Sequence, residues 1–476
     1  MTPIWVLVAC LAIACFTSNG EMVRIQPTKE EEEFLKWLVD NGADMSNVVW
    51  PAMDPRTGSR GIMAAKDIYG NMSSGKDAAM YYVKVPAKLM ITPKRVLRDP
   101  EFGRRISWYR RNGNSREVDI ERIALFLVFQ LNKTDSFFHP FVKVLEEPSM
   151  VGDWDQKDQA ELQDEPFARG CREAMDGLKR IHSSLPKEHF PPSLFTWERV
   201  RWAHGNVGQR SFTIRDDSGK FSSIALVPGA DLVNHGDFNG SYGLGDDQKF
   251  FSVYPIGNST VIRKGDECLF SYSPMSNTQS LFSYAFAVRG NRHDEVVMEG
   301  KNADTVVTMK DIASWRSREF TSPGRAVYDL CYEGTSSLGR ALETCVALMQ
   351  TRLKEYPTTL QQDIALLAEP NQSVNKRFAL YYRIGQKAIL EAHLAYCLEG
   401  QRAIRSKDVE GGKMSKAEFN AWFIKHAVRP VEQRSALTDW FRLPPGLSRL
   451  DIISWIEVEA TSRLSQHANH LKTDEL

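Results

Sequence analysis

The segment Ala225-Leu226-Val227-Pro228-Gly229-Ala230-Asp231-Leu232-Val233-Asn234-His235 constrains this chain more than any other. An apolar run ends in an Asx-His pair, so a buried strand must deliver two polar groups to a cleft. Further on stands Gly265-Asp266-Glu267-Cys268-Leu269-Phe270-Ser271-Tyr272, where a turn feeds a short apolar strand that ends in a tyrosine. Leu281-Phe282-Ser283-Tyr284-Ala285-Phe286 follows. Taken singly, each polar residue has an ordinary reading: Tyr272 a strand-end core tyrosine, His235 a half-buried histidine, Arg210 a surface ion-pair residue. The order of the blocks carries the signal, because a site needs its parts from several places in the chain.

Composition removes several function classes. Lys+Arg and Asp+Glu are equal at 60 each in 476 residues, so no net field draws the chain to nucleic acid or anionic lipid. Apolar residues at 42% and charged residues at 25% describe a soluble globular protein large enough for two or three domains. The 7 cysteines include no C-x-x-C pair, which excludes a zinc ribbon and a thioredoxin-like site, and no metal is expected. Gly243-Leu244-Gly245 is a lone G-x-G without a third glycine, and there is neither a phosphate-binding G-x-x-x-x-G-K-[ST] loop nor a G-x-S-x-G elbow.

The ends suggest an address. Ile4 to Ala14 is an unbroken apolar run, too short to span a bilayer but suited to a signal peptide over residues 1–20. Ala12-Ile13-Ala14 or Ser18-Asn19-Gly20 would be the cleavage site. The tail Lys472-Thr473-Asp474-Glu475-Leu476 resembles an endoplasmic-reticulum retrieval signal. N-x-[ST] sequons stand at Asn71, Asn132, Asn239, Asn258 and Asn371. The expectation is the endoplasmic reticulum lumen or secretory pathway, with no membrane span after signal cleavage. A plastid reached through the secretory route is the alternative, although Glu30 to Glu33 have the wrong charge for a transit segment. An oxidising lumen would allow one disulfide, and spacing does not choose the pair.

Patterning gives an α+β plan. Glu30 to Asp40 reads as a helix with acids at its start. Gly61 to Asp67 and Tyr81 to Val85 read as strands. Residues 100–205 read as a helical insertion. Strands recur at Ser223 to Val227, Phe250 to Tyr254 and Glu267 to Tyr272, and from about Asp304 the chain reads as helical to its end.

The Asn234-His235 pair and the Gly265–Tyr272 block resemble the C-terminal core of the SET domain, whose hallmark is N-H followed by a G-[DE]-E-x-x-x-S-Y element. Ser59-Arg60-Gly61-Ile62-Met63-Ala64-Ala65-Lys66-Asp67-Ile68 looks like that family's R-G-[IL]-x-A-x-x-D-I opening. Trp202-Ala203, Gln209-Arg210-Ser211-Phe212 and Phe138-His139-Pro140-Phe141 resemble elements of one branch, that of the Rubisco large-subunit methyltransferase. So do Glu355-Tyr356-Pro357-Thr358-Thr359-Leu360-Gln361-Gln362-Asp363 and Arg383 to Leu390. Ser273, Gly236 and Gln209 depart from the usual pattern.

The resemblance implies a SET β-fold with a pseudoknot and a helical insertion over residues 21–300. An all-α substrate-binding domain over 301–476 would follow. It implies methyl transfer from S-adenosylmethionine to a protein nitrogen, most often that of lysine, with histidine as the alternative; a silent scaffold that binds a partner is the third reading. A protein substrate and a monomeric enzyme are expected. Tyr272 would be the catalytic phenol. Arg60, Gly61, Arg210, Asp231, Asn234, His235 and Tyr272 would bind the donor, with Arg210 on its carboxylate. Tyr284 would line the substrate channel.

Overall fold

A computed structural model describes residues 22–55, 58–70, 80–107, 115–215, 221–236, 240–245, 248–257, 260–298, 305–308 and 338–405. The expected signal peptide, the retrieval-like tail, the sequons Asn71, Asn239 and Asn258, and the parts of the expected helical run over 309–337 and 406–476 lie outside these residues. The chain divides into two compact units: Met1–Met150 with Glu173–Pro274, and Val151–Arg172 with Met275–Leu476. The sequence boundary near residue 300 falls inside the second of them.

In chain order the first unit opens with strand β1 (Val23–Arg24) and helix α1 (Lys29–Asp40). Thr28 caps α1 in a capping box with Glu31, and Asn41-Gly42 ends it, Gly42 taking φ 90°. Then come β2 (Val48–Met53), β3 (Arg60–Ala64), β4 (Ile68–Tyr69) and β5 (Val83–Pro86). Helices α2 (Pro93–Arg98), α3 (Phe102–Ile106), α4 (Arg116–Leu131) and α5 (His139–Lys143) follow. Helix α6 (Gln156–Ala160) and the start of α7 (Glu165–Ser183) belong to the second unit; in the first, the rest of α7 precedes α8 (Trp197–Arg210). Strands β6 (Phe212–Arg215), β7 (Phe221–Ala225), β8 (Asn234–His235), β9 (Gly240–Leu244), β10 (Phe250–Pro255), β11 (Val261–Ile262) and β12 (Leu269–Phe270) complete the unit.

The strands form small sheets: β1-β2-β3, β5-β10-β9, β4 with β11, and β6 with β7. The pair β8-β12 is parallel, Leu269 opposite Asn234 and Phe270 opposite His235. The G-x-G at Gly243-Leu244-Gly245 lies in the β9–β10 hairpin and at its end, not at a strand-to-helix turn. A nucleotide loop is thereby excluded there.

The helical insertion is not an appendage. Ile123, Leu127, Phe141 and Val207 from its helices share one buried cluster with Ile62, Val85, Leu226, Phe251 and Phe270 from the strands. From Ile123 to Phe129 α4 is apolar and buried all round, as a helix segment enclosed by others must be. Phe138 and Phe141, read as a family motif, are core residues, with Pro140 in the first turn of α5.

The second unit contains α9 (Asn277–Tyr284), β13 (Glu295–Met298), β14 (Thr305–Thr308), α10 (Leu338–Lys354), α11 (Leu360–Leu367) and α12 (Val374–Arg405). The run from residue 304 is therefore not helical at its start: Thr305–Thr308 pairs antiparallel with Glu295–Met298. Its Thr-Val-Val-Thr sequence is β-branched throughout, which favours a strand over a helix. Among the described residues no helix is long and apolar enough to cross a membrane. No disulfide forms among them either; Cys171, Cys268, Cys345 and Cys397 are buried thiols.

A buried ionic cluster holds the second unit together. Asp363 is wholly buried and pairs with Arg383 at 2.9 Å and with Lys387, both themselves buried. Arg383 also reaches Glu161 at 2.6 Å, and Lys387 donates to Thr358 at 2.8 Å and Gln163 at 2.9 Å. Arg352 and the Tyr382 hydroxyl converge on Asp164 at 3.1 and 2.9 Å. Thus the two tail motifs are halves of one network: Thr358 and Asp363 from the first, Arg383 and Lys387 from the second. Gly385 sits between those two cations because a Cβ there would lie 2.0 Å from Oδ2 of buried Asp294.

Removing one partner of such a cluster strands buried charge, a loss of about 3–5 kcal/mol. Asp363→Ala should therefore destabilise the full chain by that order in chemical denaturation. A midpoint equal to that of the unaltered protein would show that the cluster does not hold the fold.

Candidate functional site

Three separated segments meet in the first unit. The stretch leading into β12 lies against β3: Ala64 N–H donates to Asp266 O, Gly265 N–H to Ala64 O, and Cys268 N–H to Ile62 O, each at 2.9 Å. One residue later the same stretch pairs with β8, and Gly236 N–H donates to Phe270 O at 3.1 Å. The chain from Gly265 to Tyr272 thus runs beside the Arg60–Ala64 strand and then beside Asn234-His235. Burial of Cys268 between them pushes its thiol well above its usual range, as expected for an inert core cysteine.

Tyr272 stands where this crossing ends. Its hydroxyl donates to Val233 O at 2.9 Å, and its N–H donates to Nδ1 of His235 at 3.1 Å. An N–H donor requires a lone pair on Nδ1, so this bond selects the neutral ring with its proton on Nε2. The two rings lie edge to face with centroids 5.2 Å apart. Sequence expected Asn234, His235 and Tyr272 at one place, and the structure brings them together.

Asn234 joins the other two motifs. Its side-chain N–H groups donate to Arg60 O at 2.7 Å and to Glu267 Oε1 at 2.8 Å. Gly61 lies directly beneath: a Cβ there would stand 2.4 Å from Glu267 Oε1 and 2.7 Å from Asn234 Nδ2. The nearest neighbours of that position are the carboxylate and amide of the chain itself.

Arg60 contributes its carbonyl to this junction, while its guanidinium is committed elsewhere. It pairs with Glu31 of the α1 capping box and with Glu146 at 2.6 Å, and lies 5.9 Å from the Trp50 ring centroid. This side chain borders a cleft of about 690 Å³ that is also lined by Thr28, Glu31, Glu146 and Trp202.

Arg210 ends α8 and is 27% exposed in its side chain. Its Nε donates to Oδ1 of buried Asn206 at 3.2 Å, one helical turn earlier. Its NH1 group donates to Asp231 O at 3.4 Å and lies 3.5 Å from Asp231 Oδ2. The Asp231 carboxylate is inaccessible; it accepts from Gly229 N–H at 3.0 Å and backs Arg210. Burial pushes this carboxyl up, and the Arg210 charge opposes that shift. Asp231 is thus placed to hold Arg210, and only its main chain remains for a ligand. Tyr284 closes α9 in the second unit, its ring centroid 5.8 Å from that of Phe286.

Sequence reading missed three supports. Asn206 was legible only as a polar residue four positions before Arg210. Glu267 was quoted as part of a motif without a role. Glu31 was read only as a helix-start acid. The departure at Gly236 has a packing reason: a Cβ would lie 2.7 Å from Leu269 Cδ1 and 3.0 Å from Leu269 Cβ. Gln209 donates to Ser149 O at 2.5 Å, and Ser273 is exposed.

Asp231→Ala would leave Gly229 N–H without its acceptor and Arg210 without its counter-charge. The expected loss is about 2–3 kcal/mol in urea unfolding, and less for Asp231→Asn, which keeps an oxygen for Gly229. Equal stability in all three proteins would remove Asp231 as a support.

Comparison with known proteins bears on the fold. A family model described as Rubisco LSMT substrate-binding matches residues 303–390. The chain is similar to the actin-histidine N-methyltransferase of Canis lupus familiaris, at 21% identity over 488 residues that cover 88% of this chain and 79% of the relative. The Homo sapiens protein of the same name shares 21% over 494 residues, with the same coverage. Among solved structures, the SET domain of LSMT bound to lysine and AdoHcy matches with a TM-score of 0.60 at 18% identity, over 81% of this chain and 98% of that one. Rubisco LSMT bound to AdoMet matches with a TM-score of 0.57 at 18% identity, over 81% and 98%. The chain therefore has a SET-like fold, and its residues 303–390 match the Rubisco LSMT substrate-binding region.

Proposed function

We propose that this chain is an S-adenosylmethionine-dependent protein N-methyltransferase. The observation that carries the reading is the junction of Asn234-His235 with Tyr272, bonded across two segments far apart in sequence. The relatives and structural neighbours support it, being methyltransferases or SET domains bound to AdoMet or AdoHcy.

The residues present fit the donor. Its carboxylate calls for a planar cation, and Arg210 is half-buried and pre-oriented by Asn206 and Asp231. Its base and ammonium call for backbone donors and acceptors, which the half-buried Asn234-His235 strand can offer once the Asn234 amide is committed internally. When bound, S-adenosylmethionine supplies a sulfonium-activated methyl group.

The protein supplies alignment, dryness and polarity. The Tyr272 hydroxyl has its proton turned to Val233 O, so it presents oxygen lone pairs elsewhere. That polarity suits a carbon bearing partial positive charge and holds a nitrogen acceptor in line. Desolvation in an apolar channel lowers the pKa of an acceptor amine, which must be neutral to react.

Lysine is the acceptor proposed first, in keeping with neighbours solved with lysine and monomethyllysine. Histidine is the second reading, favoured by relatives that are actin-histidine methyltransferases. We further place the protein in the secretory lumen, or alternatively in a plastid reached by that route. The apolar run Ile4–Ala14, the C-terminal Asp474-Glu475-Leu476 and the exposed sequons Asn132 and Asn371 support that address.

Calorimetry should show binding of S-adenosylhomocysteine by the pure protein; its absence would leave the silent scaffold. With labelled donor and lysate proteins, Tyr272→Phe should lower methyl transfer by about 10²–10³ while leaving product affinity within about twofold. An unchanged rate would dismiss Tyr272. Mass spectrometry of the labelled peptide decides between lysine and histidine. Glycosidase treatment of protein from cells should lower its mass; no shift would count against the luminal address.

A further inference from the structure

We infer that Glu267 is a positioning residue for the donor pocket, acting through Asn234 and made possible by the missing side chain at Gly61. The inference rests on the proposed methyltransferase reading and deepens it. Asn234 has one side-chain amide nitrogen, and both of its N–H groups are committed, one to Arg60 O at 2.7 Å and one to Glu267 Oε1 at 2.8 Å. Two acceptors on opposite strands fix the rotation of that amide. They also tie β8 to the start of β3, while the backbone of Glu267 bridges β3 at Met63.

The next residue after Asn234 is His235, whose Nδ1 receives the Tyr272 N–H. Two residues beyond Cys268 on the other strand, Phe270 pairs with His235. Glu267 therefore sets the register of the strand pair that carries the phenol, without itself contacting the reacting groups. Gly61 fits this role by its size. Its Cβ position is occupied by Glu267 Oε1 at 2.4 Å and Asn234 Nδ2 at 2.7 Å, the far ends of two movable side chains. A methyl there would push the carboxylate off the amide rather than break the strand.

The test is a double-mutant cycle read by calorimetric binding of S-adenosylhomocysteine and by thermal unfolding of the unliganded full chain. Glu267→Ala should weaken binding about tenfold, the size expected for one charge-assisted hydrogen bond. Gly61→Ala should do the same. The double variant should stay near tenfold, because both changes remove the same bond. Glu267→Gln keeps an acceptor for Asn234 and should restore binding to within about threefold of the unaltered protein. A merely structural role would instead move the unfolding midpoint of Glu267→Gln and Glu267→Ala together.

Losses that multiply to about a hundredfold in the double variant would mean that Gly61 faces the ligand itself, and would overturn the proposal. Unchanged binding in Glu267→Ala would overturn it as well. If the unaltered protein binds no S-adenosylhomocysteine, the methyltransferase reading falls and this inference falls with it; the first two outcomes sink the inference alone.

Discussion

The two-residue parallel ladder between Asn234-His235 and Leu269-Phe270 is the constraint from which the first unit follows. Parallel strands cannot be closed by a tight turn; the chain must leave and return. Here it leaves through the β9–β10 hairpin, which pairs onto β5, and through β11, which pairs onto β4. It returns along β3 before it reaches β8. Each excursion therefore recruits a strand from the N-terminal part of the chain. Segments separated by nearly the whole unit must be in place together, so the ladder, though short, enforces long-range order.

Within each unit, taken by itself, buried charged side chains bond one another in a way that fixes geometry more than it adds stability. A buried ion pair contributes little net free energy against a well-packed apolar substitute, whereas a half-broken one costs several kcal/mol. The Asp363–Arg383–Lys387 cluster pins α11 to α12 in one register, since each cation has further partners at Glu161, Thr358 and Gln163. In the first unit the Asp231–Arg210–Asn206 chain does likewise for one guanidinium. The Arg210 guanidinium is then a charge with a fixed direction, which is what recognition of a carboxylate needs.

Much of this was legible in the sequence wherever a motif names a backbone event. Leu360–Leu367 lies in the run expected to be helical, and there Thr359 and Gln362 form a capping box ahead of an apolar stretch. The Asn-His pair and Tyr272 were placed together because their blocks came in a known order. What was not legible is which polar side chain answers which. Asp231 was read among the donor-binding residues; that its carboxylate is enclosed and faces Arg210 and Gly229 had no signal in the sequence. No periodicity reports such a partner, because it comes from a helix end 21 residues away. The strand Thr305–Thr308 was absorbed into a helical expectation because four residues are too few to override the pattern on either side.

The glycines make the same point from the opposite direction. Gly61, Gly236 and Gly385 are conspicuous in the motifs, and a sequence reader assigns such residues to turns or to ligand approach. None of the three needs a left-handed backbone. Each instead leaves room for another residue's side chain: Glu267 and Asn234 over Gly61, Leu269 over Gly236, Asp294 over Gly385. At Gly61 and Gly385 the occupant is polar and bonded across segments. Gly229 and Gly265 of the same motifs, by contrast, take φ near 90°. Gly61, Gly236 and Gly385 therefore mark places where another side chain enters the backbone's own van der Waals space. That is how a site made from short strands obtains a rigid floor without a large sheet beneath it.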